Sequence, residues 1–376
     1  MKIGVAKETI ANEKRVAIIP ESVKRLKSKG FEVIVEKDAG KAANYLDKDY
    51  QDVGASIANS FADTASQSDI LIKVRHVNSK EADELKDGSY LISFQDPANQ
   101  KENISKFEQK KINSFALEFI PRSSIAQSMD VLSSTGTIAG YKAVMLAANA
   151  QQKLFPMMMT AAGTIPPAKV LILGAGVAGL QAIATARKLG AVVEAFDTRP
   201  AVKEEVESLG GKFLEMELEE DAQDDQGYAK EMTAEFIKKE MELIEKHIIK
   251  SDICISTAQV FGRKAPVLIK TYMVDKMRPG SVIVDLAAEQ GGNCELSKPG
   301  ETVDHNGVLI LGPENIPSSM AEHASKMFSK NIENLLFHIV KDDQIDLEKD
   351  DEIIQRPLIT KNGEMVSALL KDILNK

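Results

Sequence analysis

The chain predicts an α/β protein of two Rossmann-like parallel-sheet domains separated by a cleft, the first domain discontinuous in sequence. Three observations predict it. Apolar runs of strand length alternate with amphipathic helical stretches along the 376 residues. One such run, K-V-L-I-L at 169–173, opens into G-A-G-V-A-G at 174–179. Finally, an amphipathic stretch at 320–340, long enough as a helix to span about 30 Å, carries the chain back towards its first block. The expected division is 1–135 with 325–376 for the first domain and 136–324 for the second.

Taken in order, the first block offers strands at 3–6, 31–35, 69–74, 90–94 and 114–119, with a helix at 20–29. That alternation implies a parallel sheet of its own. A helix-compatible segment at 137–154 and a loop at 156–167 lead into the second block. Its strands are expected at 169–173, 192–196, 252–256, 281–285 and 308–311, with helices at 180–189 and 229–246. Two acidic stretches, 215–225 and 342–351, are the low-complexity candidates, and there is no internal repeat.

Composition narrows the class. A chain 43% hydrophobic and 27% charged is ordinary for a soluble globule of about two domains. No apolar run approaches the roughly 18 residues needed to cross a bilayer, and the first residues read as a strand rather than a signal peptide. The chain is therefore expected to be cytosolic. Cys254 and Cys294 are the two cysteines; neither has a C-x-x-C partner, so buried free thiols are expected, with no disulfide framework and no metal site. A net charge of −9 and the lack of tryptophan argue against a nucleic-acid partner.

The glycine run carries the chemistry. Gly174 permits a tight turn, Gly176 lets backbone N–H groups, with that of Val177, approach a pyrophosphate at a helix N-terminus, and Gly179 allows helix and strand to pack closely. Asp197, ending the next strand, can accept hydrogen bonds from an adenosine ribose and would repel a 2′-phosphate. NAD(H) is thereby favoured over NADP(H), and 136–324 reads as a Rossmann NAD(H)-binding domain. Arg199, two residues on, offers a phosphate ligand instead, a role that Asp197 opposes; Thr198 between them belongs to the same turn.

Further motifs carry a family resemblance. R-S-S-I-A-Q-S-M-D-V-L-S-S at 122–134, M-M-M-T-A-A-G at 157–163, Q-G-Y-A-K-E-M at 226–232 and G-P-E-N-I-P at 312–317 resemble the NAD(H)-binding domain I, in the alpha subunit, of proton-translocating nicotinamide nucleotide transhydrogenases. The likeness runs from Met1 to beyond Val340. K-E-T at 7–9, E-K-R-V-A at 13–17 and D-L-A-A-E-Q-G-G at 285–292 are shared with the wider superfamily of alanine and saccharopine-type dehydrogenases.

An amino-acid dehydrogenase needs a general acid/base and cationic groups for the substrate carboxylate. Where alanine dehydrogenases carry a histidine after the fourth strand, this chain has Asp96; the lysine of their K-V-K-E-P becomes Arg75, followed by His76, and their later aspartate becomes Glu289. Arg15 alone survives. His76 lies on a different strand from Asp96 and reads as a surface histidine. Hydride transfer between two nucleotides needs no acid or base, only nicotinamides at roughly 3 to 3.5 Å, so the protein's task is positioning.

The resemblance implies that Gln127 reaches both the nicotinamide amide and the second nucleotide, while Arg122, Asp130 and Ser133 hold the carboxamide and the redox-active ring. Ser128 and Met129 fall in the same cofactor-binding stretch. An amide suits the bridging role because it donates and accepts without adding charge; as bare residues, Ser133 and Asp130 are equally good helix caps. The resemblance also implies a mobile flap over bound nucleotide at 214–241, with Tyr228 and Met232 contacting the cofactor and Gly227 and Glu240 lining the adenosine side. Where the family reads T-A-L-I-P-G-K-P-A-P, this chain has Thr257, Ala258, Gln259 and then V-F-G-R-K-A-P, so the backbone contact of that turn carries over.

The resulting expectation is a subunit that binds NAD(H) and is active only with partner subunits that carry NADP(H) and span the membrane. Its products would be NADH and NADP+ or the reverse, coupled to proton translocation by the partners. A homodimer, held peripherally on the cytoplasmic face of the inner membrane through those partners, is implied as well. The alternatives are a soluble alanine-dehydrogenase-like amino-acid dehydrogenase and a non-catalytic NAD-sensing module.

Overall fold

A computed structural model describes residues 1–216, 234–259 and 264–374. In chain order its strands are β1 (Lys2–Val5), β2 (Glu32–Glu36), β3 (Ser56–Ala58), β4 (Ile70–Ile72), β5 (Tyr90–Ser93) and β6 (Asn113–Ala116). There follow β7 (Met158–Thr160), β8 (Gly163–Ile165), β9 (Lys169–Leu173), β10 (Val192–Phe196), β11 (Lys212–Phe213), β12 (Ile253–Ser256), β13 (Val282–Asp285), β14 (Thr302–His305) and β15 (Val308–Leu311). The last four are β16 (Val340–Lys341), β17 (Gln344–Ile345), β18 (Leu358–Lys361) and β19 (Glu364–Met365). The chain forms two compact units, Met1–Thr135 with Pro317–Lys376, and Gly136–Ile316.

The first unit holds an eight-stranded sheet in the order β19-β18-β6-β5-β4-β1-β2-β3. Its six N-terminal strands are parallel, while β18 adds antiparallel to β6 and β19 antiparallel to β18. The expected parallel sheet is present, with two antiparallel strands added at one edge. Thr360 explains the pairing: its buried hydroxyl donates to the Ile112 carbonyl at 2.8 Å and lies 2.7 Å from Ser114 Oγ, so the C-terminal strand is fixed to β6 by side chain as well as backbone. Strands such as β4 are buried along their whole length, the condition of a sheet covered on both faces.

The helix Pro20–Ser28 has proline in its first turn, Glu21 near the positive end of its dipole and Arg25 and Lys27 near the negative end. The helix Ala321–Ile339 buries Ala324, Phe328, Ile332, Leu335 and Ile339 at three- and four-residue spacing. Its buried hydroxyls also work: Ser325 and Ser329 accept from the backbone N–H groups of Val16 and Ile19, pinning the segment before Pro20.

The second unit carries a seven-stranded sheet, β11-β10-β9-β12-β13-β15-β14, parallel but for β14. Several sequence expectations shift in detail. The strand expected through 119 stops at Ala116, and Leu117–Phe119 form a short 3-10 turn. The helix expected from 137 begins at Val131, because Asp130 caps it there, and ends at Ala150. The expected loop at 156–167 contains the antiparallel hairpin β7-β8. The glycine-turn helix starts at Val177 rather than 180, and the next long helix is described over Ala234–Ile248.

Candidate functional site

In the second unit, β9 ends at Leu173 and the chain turns through Gly174 with φ +93°, a conformation that favours glycine. The helix Val177–Lys188 then begins, with Gly176 as its N-cap and no side-chain cap. Its first N–H groups therefore lack partners from the helix itself. A Cβ placed at Gly176 would meet nothing within 4 Å, whereas one at Gly179 would lie 1.9 Å from the Gly174 carbonyl oxygen. The three glycines thus do three different things: turn, leave an approach open, and let helix and strand touch. Val177 is exposed beside that approach. This is a cradle that fits a dinucleotide pyrophosphate, with backbone donors and a helix dipole facing the space a phosphate would take.

The geometry also names residues the sequence reading passed over, Gly140 and Asn293, and shows what braces the expected turn at 257–259. A Cβ at Gly140 would fall 2.0 Å from the Ala178 carbonyl. Backbone packs directly on backbone there, and the G-x-x-x-G spacing of Gly136 and Gly140 was the available signal. Thr257 donates its hydroxyl to the Gly174 carbonyl at 3.0 Å, and its backbone N–H bonds Leu173 at 2.8 Å, bracing the turn from β12. Asn293, fully buried, accepts from Ala258 N–H and donates to the Ala258 and Pro266 carbonyls. Gln259 donates to the Leu286 carbonyl. No single-sequence pattern marks Asn293 as the partner of that turn.

Asp197 closes the cradle with its side chain only 8% exposed. One oxygen accepts from Ala175 N–H at 2.7 Å, and the other from Arg199 N–H at 2.9 Å. The Arg199 guanidinium lies along both oxygens at 3.0 Å. Burial pushes the Asp197 carboxyl up, but Arg199 and the backbone donors outweigh it and hold it below the usual carboxylate range. Arg199 is thus committed to Asp197; Thr198 is exposed. Glu240, on the helix Ala234–Ile248, is buried, and burial raises its carboxyl. Gly227, Tyr228 and Met232 lie outside the described residues.

In the first unit, Gln127, Ser128 and Met129 form one 3-10 turn. Met129 is buried, Gln127 and Ser128 are exposed, and Arg122 is exposed on the preceding loop. Asp130, almost fully buried, caps the following helix: one oxygen accepts from Ser133 N–H at 2.9 Å and the other from Ser133 Oγ–H at 2.6 Å. Asp130 and Ser133 are brought together as a pair, and capping is part of what they do.

The positions that would serve an amino-acid dehydrogenase are arranged otherwise. Arg15, 3% exposed, gives Nε and one terminal nitrogen to Glu13 at 2.8 Å each, and that pairing holds the Glu13 carboxyl down to about 2 against the effect of burial. Asp96 sits at φ +46° with its carboxylate on Asn99. His76 is held below the usual imidazole range by burial and by Arg75. Glu289 accepts from Asn315 N–H. Cys254 and Cys294 are buried free thiols. Among the described residues no helix is long and apolar enough to cross a membrane, and no group of three or more His, Cys, Asp or Glu could hold a metal ion.

Comparison with known proteins places the chain in a family. Residues 4–139 match the family model for the alanine dehydrogenase/PNT N-terminal domain, and residues 143–368 that for its C-terminal domain. The chain is 48% identical over 379 aligned residues to an NAD(P) transhydrogenase alpha subunit of Rhodospirillum rubrum, the first of the pieces into which that subunit is divided, covering 98% of this chain and 99% of that one. It is 30% identical to an alanine dehydrogenase of Staphylococcus epidermidis, over 85% and 82% of the two chains. The crystal structure of transhydrogenase from Sinorhizobium meliloti superposes with a TM-score of 0.86 at 41% identity, covering 98% and 100%. The chain belongs to the alanine dehydrogenase/PNT family, on the side of its NAD(P) transhydrogenase alpha subunits.

Proposed function

We propose that this chain is the NAD(H)-binding subunit of a proton-translocating NAD(P) transhydrogenase, passing a hydride between NADP(H) on a partner subunit and its own NAD(H). The observation that carries the reading is the uncapped glycine turn at 174–179 in a chain 48% identical to a transhydrogenase alpha subunit. Asp96, where an amino-acid dehydrogenase would need its acid/base, supports it further.

Bound NAD(H) supplies the ring that accepts or gives the hydride. The chain's own residues bind and orient it. The unpaired N–H groups at the start of the helix Val177–Lys188 meet the pyrophosphate charge. Asp197 takes the ribose hydroxyls in place of bonds it now makes to Arg199: the carboxylate is 8% exposed and bidentate to that guanidinium, which is itself 55% exposed and has to turn outward as the hydroxyls arrive. Gln127, Arg122, Asp130 and Ser133 orient the carboxamide, with Ser128 and Met129 setting the turn. Thr257, Ala258 and Gln259 present backbone, and Glu240 lines the adenosine side together with Gly227, Tyr228 and Met232.

Partners follow from the same reading: an NADP(H)-binding domain and membrane-spanning subunits, which would place the chain on the cytoplasmic face of the inner membrane. A homodimer is supported by the hairpin β7-β8, all of whose residues are exposed, Met159 by 78%. Two-stranded hairpins alone are marginal in water. Between Val131 and Pro167 the charged side chains are Lys142 and Lys153, so two copies of a chain of charge −9 could meet there without acidic side chains facing each other. Met159→Asp should shift the sedimenting species towards monomer.

The test is to mix the purified chain with the NADP(H)-binding domain of a transhydrogenase and follow NADPH-dependent reduction of an oxidised NAD analogue. Transfer is expected only in the mixture. NAD+ reduction by L-alanine without a partner would instead establish the amino-acid dehydrogenase.

A further inference from the structure

Gln127 is asked to align a reacting ring, yet its side-chain amide makes no hydrogen bond to the described residues. Its orientation must come from the turn that carries it. Ala126 and Met129, on either side, are buried in the core of the first unit, and Met129 N–H closes the turn on the Ala126 carbonyl at 2.8 Å. The Ser128 carbonyl is held from outside the turn. It accepts two hydrogen bonds from one helix face: Asn331 Nδ2 at 2.8 Å and Asn334 Nδ2 at 3.0 Å, both from the helix Ala321–Ile339.

Asn331 is almost fully buried, and its Oδ1 has no partner among the described residues. Leaving a buried polar atom unpaired is costly, so an apolar side chain would be the cheaper occupant if packing were the only demand. The demand met is the donated hydrogen bond. Asn334, three residues on and half-buried, brings a second donor to the same oxygen. Donors from the helix Ala321–Ile339 thus restrain the Ser128–Met129 peptide, one residue beyond Gln127, against rotation.

We infer that Asn331 and Asn334 are positioning residues for hydride transfer, clamping the Ser128 carbonyl so that Gln127 is presented in one orientation. This rests on the transhydrogenase reading. The full chain, mixed with the NADP(H)-binding domain, is compared as wild type, Asn334→Ala, Asn331→Leu and the double variant, each with Gln127 intact and with Gln127→Ala. Asn334→Ala changes a partly exposed residue, so the comparison survives should the buried substitution fail to fold.

With Gln127 intact, the double variant should lose about tenfold in transfer rate, as misalignment does, and Asn334→Ala alone about half of that on a logarithmic scale. NADH affinity should change by less than about twofold, because the pyrophosphate and ribose contacts lie on other residues. In the Gln127→Ala background the same substitutions should cost almost nothing, since there is no amide left to misalign. Equal losses in both backgrounds would mean a general structural role and overturn the inference, as would a full rate in Asn334→Ala. A wild type that transfers no hydride with the partner domain would overturn the functional reading itself.

Discussion

At the end of β9 in the second unit, the amides that open the helix Val177–Lys188 have no side-chain cap, whereas comparable strand ends in the first unit are closed by the protein's own carboxylates. Glu8 accepts from Val74 N–H at 2.6 Å and Arg75 N–H at 3.2 Å just past β4. Glu118 accepts from Gln95 N–H at 3.0 Å and Asp96 N–H at 2.7 Å just past β5. Open parallel sheets bind ligands outside the carboxyl ends of their strands. Two sheets of one architecture therefore differ in what occupies that position. Past β9 the Asp197 carboxylate takes Ala175 N–H alone and the glycine turn leaves the helix amides that follow for a phosphate, whereas past β4 and β5 an internal carboxylate takes two successive amides. Parallel topology supplies a place, and the side chains around it decide whether it is a site.

Variants can break this contrast. The largest effect is expected at Gly179→Ala, where the new Cβ would lie 1.9 Å from the Gly174 carbonyl. Backbone must move, so thermal stability should fall and NADH affinity drop by about a hundredfold or more. Gly176→Ala has open space around its Cβ on the protein side and should lose NADH binding with little change in melting temperature. Calorimetry and fluorescence titration separate the two, and equal melting temperatures would sink the assigned division of labour.

Gln127→Asn withdraws the amide by about 1.5 Å and should cost about a hundredfold in hydride transfer, with NADH affinity little changed. A nearly full transfer rate would reduce Gln127 to a turn residue.

Asp197→Ser removes the carboxylate that would oppose a 2′-phosphate and releases Arg199. The preference for NADH over NADPH should fall by about tenfold or more, read by equilibrium titration of both nucleotides. An unchanged ratio would count against Asp197 as the ribose acceptor.

The smallest effect sharpens the first-unit side. Desolvation raises the Glu8 and Glu118 carboxyls from 4.5 to about 7 each, against the pull of Lys73 and the backbone donors on Glu8 and of the backbone donors on Glu118. Between those values the native state keeps protons that the unfolded chain has released, so stability falls as pH rises through that window and levels above it. Glu13, held down to about 2, acts oppositely: its contribution is present above 4.5 and is lost as pH falls towards 2. Glu8→Gln and Glu118→Gln should each flatten the decline in melting temperature between 4.5 and about 7. A slope identical to wild type in both variants would show that neither group titrates there.

Much of this could be read from the chain. The glycine run, the V/L/I strands around it and Asp197 are local patterns whose spacing reflects one turn and one helix, and such patterns need no knowledge of distant residues. The 122–134 motif marked the candidate turn as well. What escaped were partnerships across long sequence separations. Asn293 with the 257–259 turn, Gly140 under Ala178, and Glu118 with the end of β5 are each ordinary residues until the fold brings their partners close.

The sequence by itself determined that strands and helices alternate, where the glycine turn lies, and which residue ends the following strand, because each follows from propensity and periodicity over a few residues. Only the tertiary structure decided that Thr360 would pair a C-terminal strand against β6, that Arg199 would lie on Asp197, and that Asn331 and Asn334 would grip the Ser128 carbonyl from a helix some two hundred residues away. The physical reason is that hydrogen bonds and burial are satisfied by whatever group the folded chain places within reach, and reach between distant residues is a property of the packed whole rather than of any segment.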